Sequence, residues 1–144
     1  MIEALFRILH LLGALGMGAG LIIAALAAGS LATDTTPKEH PARTFRVIYG
    51  YTALAATLSA AGGLMLWLSV GKPAAFFNNN PVFHAKLGLV VALLAVLIYP
   101  AWFLCRAQCQ YSIPATVLRL QKCALPLLII IPVLAYLMAR GIGY

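Results

Sequence analysis

Two histidines stand inside or beside long apolar segments, and their type and placement suit cofactor binding. His10 is the only ionisable His, Lys, Arg, Asp or Glu side chain inside the four apolar windows of the chain. An ionisable group at such a depth indicates a functional site, because leaving it unpaired in hydrocarbon is costly. His84 opens the third apolar segment. Imidazole nitrogens from two helices are the ligands of a six-coordinate heme iron, so the pair predicts His10 and His84 as axial metal ligands of heme b.

The composition indicates that the elements that position these histidines lie in a membrane. The chain has 144 residues, of which 63% are hydrophobic and 9% charged. A soluble domain carries roughly 25% charged residues, so lipid must solvate much of this chain. The formal net charge is +7, but the basic residues form no run or stripe, which excludes a nucleic-acid partner. The length predicts a single domain over residues 1–144.

Four apolar segments are long enough to cross a bilayer. Every Lys, Arg, Asp and Glu lies outside four windows, namely Ile8–Ala32, Val47–Gly71, Leu87–Cys105 and Cys123–Ala139. A spanning helix needs ~20 apolar residues, and the backbone in hydrocarbon must be helical. We therefore predict an all-α polytopic membrane protein, an antiparallel four-helix bundle with spans at residues 5–32, 46–71, 82–105 and 115–140. A peptidase-like run at 25–30 follows a stretch too long for a signal peptide, so we expect a helix there.

The two histidines should lie at similar depth. The first helix is expected to start near Ala4 and the third near Val82, on the same side of the membrane. At ~1.5 Å per residue, His10 lies roughly 9 Å along its helix and His84 roughly 3 Å along its own. The alternatives are a helix-packing hydrogen bond for His10 and an interfacial position for His84.

Small and basic residues near this depth fit a flat, acidic ligand. The expected contacts are Gly13, Met17, Gly62 and Gly63 beside the porphyrin, with Met17 also an alternative axial ligand, and Lys86 and Arg140 beside the propionates. The competing interpretation is that the glycines let helices approach each other and that the basic groups extend to the interface. Gly16 and Gly20 form a Gly-x-x-x-Gly pair, which we expect to pack within the chain, with a homodimer as the alternative.

The basic residues also predict an orientation. The side with both termini holds four, Arg7, Lys72, Lys86 and Arg140, and the other side holds six. Positive loops stay in the cytoplasm, so we expect periplasmic termini in a bacterial inner membrane. Cys105 and Cys109, one helical turn apart, are an alternative metal site, although small apolar filler is the commoner role of such cysteines.

Several motifs resemble a known family. Gly71-Lys72-Pro73, the stretch Asn80–Gly88, Tyr99-Pro100 and Met138–Gly141 resemble a bacterial family of small membrane proteins of unknown function. That family is similar to the CopD-like superfamily, which includes the HemJ-type protoporphyrinogen oxidases. Those proteins have a first-helix histidine and a His-x-Lys motif opening the third helix, matched by His10, His84 and Lys86. The resemblance implies four antiparallel helices and a b-type heme.

Two departures from the HemJ-type pattern bear on activity. Pro126 lacks the acidic residue of an Asn-Glu-x-Pro element, and Tyr99-Pro100 replaces an aromatic–histidine pair. The oxidase activity is therefore not carried over. The sequence predicts a heme b-binding membrane protein in electron transfer or redox chemistry, with a quinone or other redox partner. The alternatives are a porphyrin or quinol oxidoreductase and a cofactor-free accessory subunit of a larger membrane complex.

Overall fold

The computed structural model describes residues 1–33, 41–70, 72–106 and 115–142. Its helices are α1 Ile2–Thr33, α2 Pro41–Met65 with a π-helical continuation at Leu66–Val70, α3 Ala74–Asn78, α4 Pro81–Arg106 and α5 Ala115–Ala139. Within the described residues, four helices are long and apolar enough to cross a membrane. The predicted all-α, four-span fold is confirmed. The π-helical turn and the short helix α3 were not predicted.

Proline and asparagine set the start of α4 and leave the spans intact. Asn80 precedes the helix, and its Oδ1 accepts a hydrogen bond from the Val82 backbone N–H at 2.9 Å. Pro81 follows in the first helical position, where its missing N–H has no helical partner to lose. Pro100, Pro126 and Pro132 lie inside α4 and α5, and both helices continue through them.

The helices form an antiparallel bundle in which α1 and α4 are diagonal. Helix α1 packs against α2 and α5, and α4 packs against the same two helices. In the described residues, no Cα atom of α1 comes within 8 Å of one in α4. We call the end with Ile2, Val70, Pro81 and Ala139 the termini end, and the other the opposite end.

Burial is uneven along the bundle. Four residues from the middle of the bundle toward the opposite end are almost fully buried: Leu93 and Leu97 of α4, and Val117 and Ala124 of α5. On the same helical faces nearer the termini end, Lys86, Val90, Ile131 and Ala135 are only half-buried. Asn80 and Phe83, still nearer the termini end of α4, are buried again, so on α4 the half-buried residues lie between two buried levels.

The outward faces are apolar, as a lipid environment requires. Leu26 is 70% exposed, and large aliphatic side chains are exposed along all four spans. A soluble monomer does not expose contiguous apolar surface of this extent. Lipid chains are the solvent that matches these faces.

Helix α3 and the π-helical turn close one corner of the termini end. The Trp67 indole N–H donates to Asn78 Oδ1 at 2.9 Å, and the Trp67 ring lies edge-on to Phe83 with centroids 5.0 Å apart. Phe77 also packs against Phe83. These contacts join the end of α2 to the start of α4, and π-helical turns often mark functional sites.

Candidate functional site

His10 lies on the inward face of α1, where it contacts α2. Its Nδ1 is 2.7 Å from the carbonyl oxygen of Ser59. In return, the Ser59 hydroxyl donates to the carbonyl oxygen of His10 at 3.1 Å. This double contact holds the imidazole ring against one turn of α2.

The contact assigns the tautomer of His10. A carbonyl oxygen can only accept, so the short contact requires a proton on Nδ1. The Ser59 hydroxyl also lies 3.3 Å from Nδ1, but it cannot donate to a nitrogen that already carries its proton. A neutral ring then has its lone pair on Nε2. No hydrogen-bond partner of Nε2 is found among the described residues, so this nitrogen is available as a ligand.

The glycines around His10 serve close contact between α1 and α2. A Cβ atom at Gly13 would lie 2.5 Å from the Ser59 backbone nitrogen, and one at Gly62 would lie 2.9 Å from the His10 backbone nitrogen. A Cβ at Gly63 would lie 3.1 Å from His10 Nδ1. Gly13 and Gly62 therefore let two backbones approach, and Gly63 makes room for the imidazole. Gly63 touches the histidine and not a neighbouring backbone.

Gly16 and Gly20 have the same role. A Cβ at Gly16 would meet Tyr51 and Ala55, and one at Gly20 would meet Thr52, all on α2 of the same chain. The expectation that this Gly-x-x-x-Gly pair packs within the chain is confirmed.

His84 lies at the same level along the bundle axis as His10, but it does not face the bundle interior. Leu21 belongs to one core cluster with Leu93 and Leu97, and α1 and α4 run parallel. His10 is eleven residues before Leu21, so it lies level with residues 82–86. His84 is exposed, however, and its Nε2 is 2.8 Å from the Asn78 carbonyl oxygen. That nitrogen therefore donates a proton here, and the structure does not bring the two imidazoles together.

Lys86 occupies the inward position that the sequence analysis gave to His84. It lies two helical turns before the fully buried Leu93 on the same face of α4, and it is half-buried. Two residues turn an α-helix by ~200°, because each turn takes 3.6 residues. His84 and Lys86 consequently point to opposite sides of α4.

The remaining predicted residues take separate positions. Met17 is half-buried and packs against the core cluster that contains Leu21. Arg140 is exposed at the end of α5, with its guanidinium 5.2 Å from the Tyr136 ring centroid. Lys72 lies 3.9 Å from the centroid of the Phe76 ring. Neither basic group is oriented toward His10 by a contact in the structure.

Two buried amides were missed by the sequence analysis. Asn80 is fully buried, and its Nδ2 has no hydrogen-bond partner. The Asn80-Pro81 pair is a helix-start signal that could have identified it. Gln121 donates from Nε2 to the Tyr49 hydroxyl at 2.9 Å, while its Oε1 is unpartnered. Gln121 lies on the inward stripe of α5, three residues before Ala124, so helical periodicity could have placed it.

Other candidate ligands do not gather around a metal. No group of three or more His, Cys, Asp or Glu side chains that could hold a metal ion occurs in the described residues. A heme needs only one or two protein ligands, so this finding does not bear on it. The side chain of Cys105, and the whole of Cys109 and His40, lie outside what is described.

Fold and site together define a polytopic α-helical membrane protein with an inward histidine near one end of its bundle. The chain belongs to the family described as predicted membrane protein (DUF2214), whose model matches residues 2–143. No curated protein and no solved structure matches the chain.

Proposed function

We propose that this protein binds heme b in the membrane and acts in electron transfer, with His10 Nε2 as a ligand of the iron. The observation that carries the proposal is the hydrogen bond from His10 Nδ1–H to the Ser59 carbonyl. Metal-ligating histidines almost always donate their other ring N–H in this way, which fixes the ring and raises the basicity of the ligating nitrogen. A bound heme would supply one-electron redox chemistry.

The burial of the His10 ring and the position of Lys86 suit a bound heme, whereas two nearby glycines do not line a space for it. The ring is half-buried against α2, near the termini end of the bundle. Lys86 faces the same interior from the diagonal helix and suits a propionate. Gly13 and Gly62 do not line such a space, because the backbone of the partner helix already fills it.

The second axial position is not formed by the structure as it stands. His84 would have to give up the Asn78 carbonyl and turn inward by about half a helical turn. The lost hydrogen bond costs only about 0.5–1.5 kcal/mol, but the rotation would also move Phe83 out of its aromatic contacts. Ligation by His84 therefore stays a prediction, and the proposal depends on His10.

The wider placement follows the sequence argument. We propose a relationship to the CopD-like superfamily and a quinone or other redox partner, supported by the His10, His84 and Lys86 motif. We also propose a bacterial inner membrane with periplasmic termini, supported by the six-to-four bias of basic residues. A fluorescent reporter that is inactive in the periplasm, fused after Tyr144, tests the orientation. Dark cells with full-length fusion are expected, and bright cells would invert the topology.

One observation favours a second candidate, a cofactor-free subunit of a membrane complex. The glycines of α1 and α2 are explained by packing of the two helices, without any ligand. In that case the His10–Ser59 contact is a structural hydrogen bond between two helices.

The absorption spectrum of the purified protein separates the two candidates. His10→Asn is the informative variant, since an asparagine N–H can replace the Nδ1 donor while no nitrogen remains in place of Nε2. A heme protein should lose its Soret band in this variant and keep its fold. A cofactor-free subunit has no such band in either form.

A further inference from the structure

The exposed Lys and Arg side chains at the termini end have partners within the chain. The pairs are Arg7 with Glu3, Lys72 with Phe76, and Arg140 with Tyr136. The first is an ion pair across one helical turn. In the other two, the cation lies 3.9 Å and 5.2 Å from the centroid of an aromatic ring, whose face attracts positive charge. The charge at this end is therefore compensated in part by the chain itself.

Arg119 and Lys122, near the start of α5 at the opposite end, lack such partners. Both side chains are exposed, and neither has an ion-pair, hydrogen-bond or ring contact among the described residues. No Asp or Glu follows Glu39 in the sequence, so α2, α4 and α5 supply no carboxylate. The two acids between α1 and α2, Asp34 and Glu39, lie outside the described residues. The described part of the chain therefore does not compensate these two charges.

Helical geometry places the two cations side by side on the outer surface of α5. Val117, Gln121 and Ala124 are buried and define its inward face. Arg119 lies about half a turn from that face, and Lys122 about a third of a turn. Residues three apart are neighbours on a helix surface, with Cβ atoms ~5–6 Å apart. Two like charges at this separation repel each other unless an anion lies between them.

The depth of the pair matches the phospholipid headgroups. Helix α5 has 25 residues, or ~37 Å at ~1.5 Å per residue, and it exceeds the ~30 Å hydrocarbon core. Its first turn therefore extends into the headgroup layer, with Arg119 near the boundary and Lys122 about one turn deeper. Helical side chains lean toward the N-terminus, and a lysine stem extends along apolar surface to bring its charge to the interface. Both cations consequently reach the phosphate level at the opposite end.

We propose that Arg119 and Lys122 together bind the phosphate of an anionic phospholipid in the leaflet at the opposite end. The guanidinium fork binds two phosphate oxygens, and the ammonium supplies a second charge. An anionic lipid is selected over phosphatidylcholine, because the latter carries a choline cation beside its phosphate. The site does not depend on heme, and the partnered cations of the termini end give a weaker selectivity there.

Fluorescence quenching by brominated lipids measures this selectivity. Trp102 reports on the opposite end, because its neighbours Ala101 and Phe103 pack against the cluster that contains Val117. In a Trp67→Phe protein reconstituted in phosphatidylcholine, brominated phosphatidylglycerol should associate near Trp102 at least roughly fivefold more strongly than brominated phosphatidylcholine, the factor for one basic side chain at an anionic surface. A Trp102→Phe protein, which reports through Trp67 at the termini end, should show a smaller preference.

Replacing both cations by glutamine tests the assignment to this pair. Arg119→Gln with Lys122→Gln should abolish the preference at Trp102 and leave the helix content measured by circular dichroism unchanged, because both side chains are exposed. Arg119→Lys should keep the preference, since the charge remains. Lys72→Gln with Arg140→Gln removes the same net charge at the termini end and should also keep it. Three results would overturn the proposal: no preference at Trp102 before substitution, a preference that survives the double substitution in α5, or an equal loss in the termini-end control.

Discussion

At the scale of residues, one short contact gives His10 its chemical character. The Ser59 carbonyl accepts a hydrogen bond from Nδ1–H, which leaves Nε2 as the unprotonated nitrogen of a neutral ring. An iron ligand must have an unprotonated ring nitrogen, and a neutral histidine that donates through Nδ1 provides one. The sequence supplied the depth of His10, but it could not supply the tautomer, which depends on a carbonyl 49 residues away in the chain.

His84→Ala separates the predicted ligand pair from the arrangement in the structure. If His84 keeps its contact with the Asn78 carbonyl when heme binds, the variant should keep its heme content within about twofold. The lost exposed hydrogen bond should lower the free energy of unfolding by about 0.5–1.5 kcal/mol at most. Absorption spectra of matched preparations check both statements. Conversion from low-spin to high-spin heme in the variant would mean that His84 is the second axial ligand and that α4 turns when heme binds.

The difference between His84 and Lys86 shows what depth alone leaves open. Depth placed both residues near the level of His10, and it did not determine their direction around the helix. Seven residues, or two helical turns, before Leu93 on the buried face of α4 stands Lys86, not His84. Periodicity could therefore have found the inward residue. The contact of His84 with Asn78 could not have been foreseen, because it depends on the unpredicted helix α3.

At the scale of elements, α1 and α2 form the most closely packed pair, through glycines that oppose backbone atoms. Apolar burial does not drive helices together in lipid, so close approach and interhelical hydrogen bonds must stabilise the pair. The sequence indicated small residues on both helices, and two uses were open, packing or ligand contact. Only the opposing atoms could decide between them.

Alanine substitutions measure this packing. Gly13→Ala and Gly62→Ala place a Cβ atom 2.5 and 2.9 Å from backbone nitrogens of the partner helix, so each should destabilise the fold by about 1–3 kcal/mol. Gly50→Ala and Gly88→Ala are matched controls, since a Cβ there meets nothing within 4 Å. The controls should be neutral or stabilising, because alanine favours helix by about 1 kcal/mol over glycine. Unfolding in detergent provides the comparison, and equal effects at all four positions would contradict the assigned packing.

At the scale of the whole molecule, the arrangement of the bundle is set by which helices are neighbours and which are diagonal. Composition alone predicted the membrane and the four helices, because uncharged windows of this length have one stable structure in hydrocarbon. Composition could not predict which helices are diagonal, because that depends on contacts between helices far apart in the chain. The observed arrangement places His10 on α1 and Lys86 on the diagonal helix α4 at one level of the bundle.

The visible spectrum of protein purified from heme-replete cells decides whether His10 Nε2 ligates a heme. We expect a Soret band in wild-type protein, with at most one heme per chain, because His10 is the one inward histidine in the described residues. The same preparation of His10→Asn should contain folded protein without that band. Wild-type protein with no Soret band, or His10→Asn protein with an unchanged one, would exclude His10 as a heme ligand and favour the cofactor-free subunit.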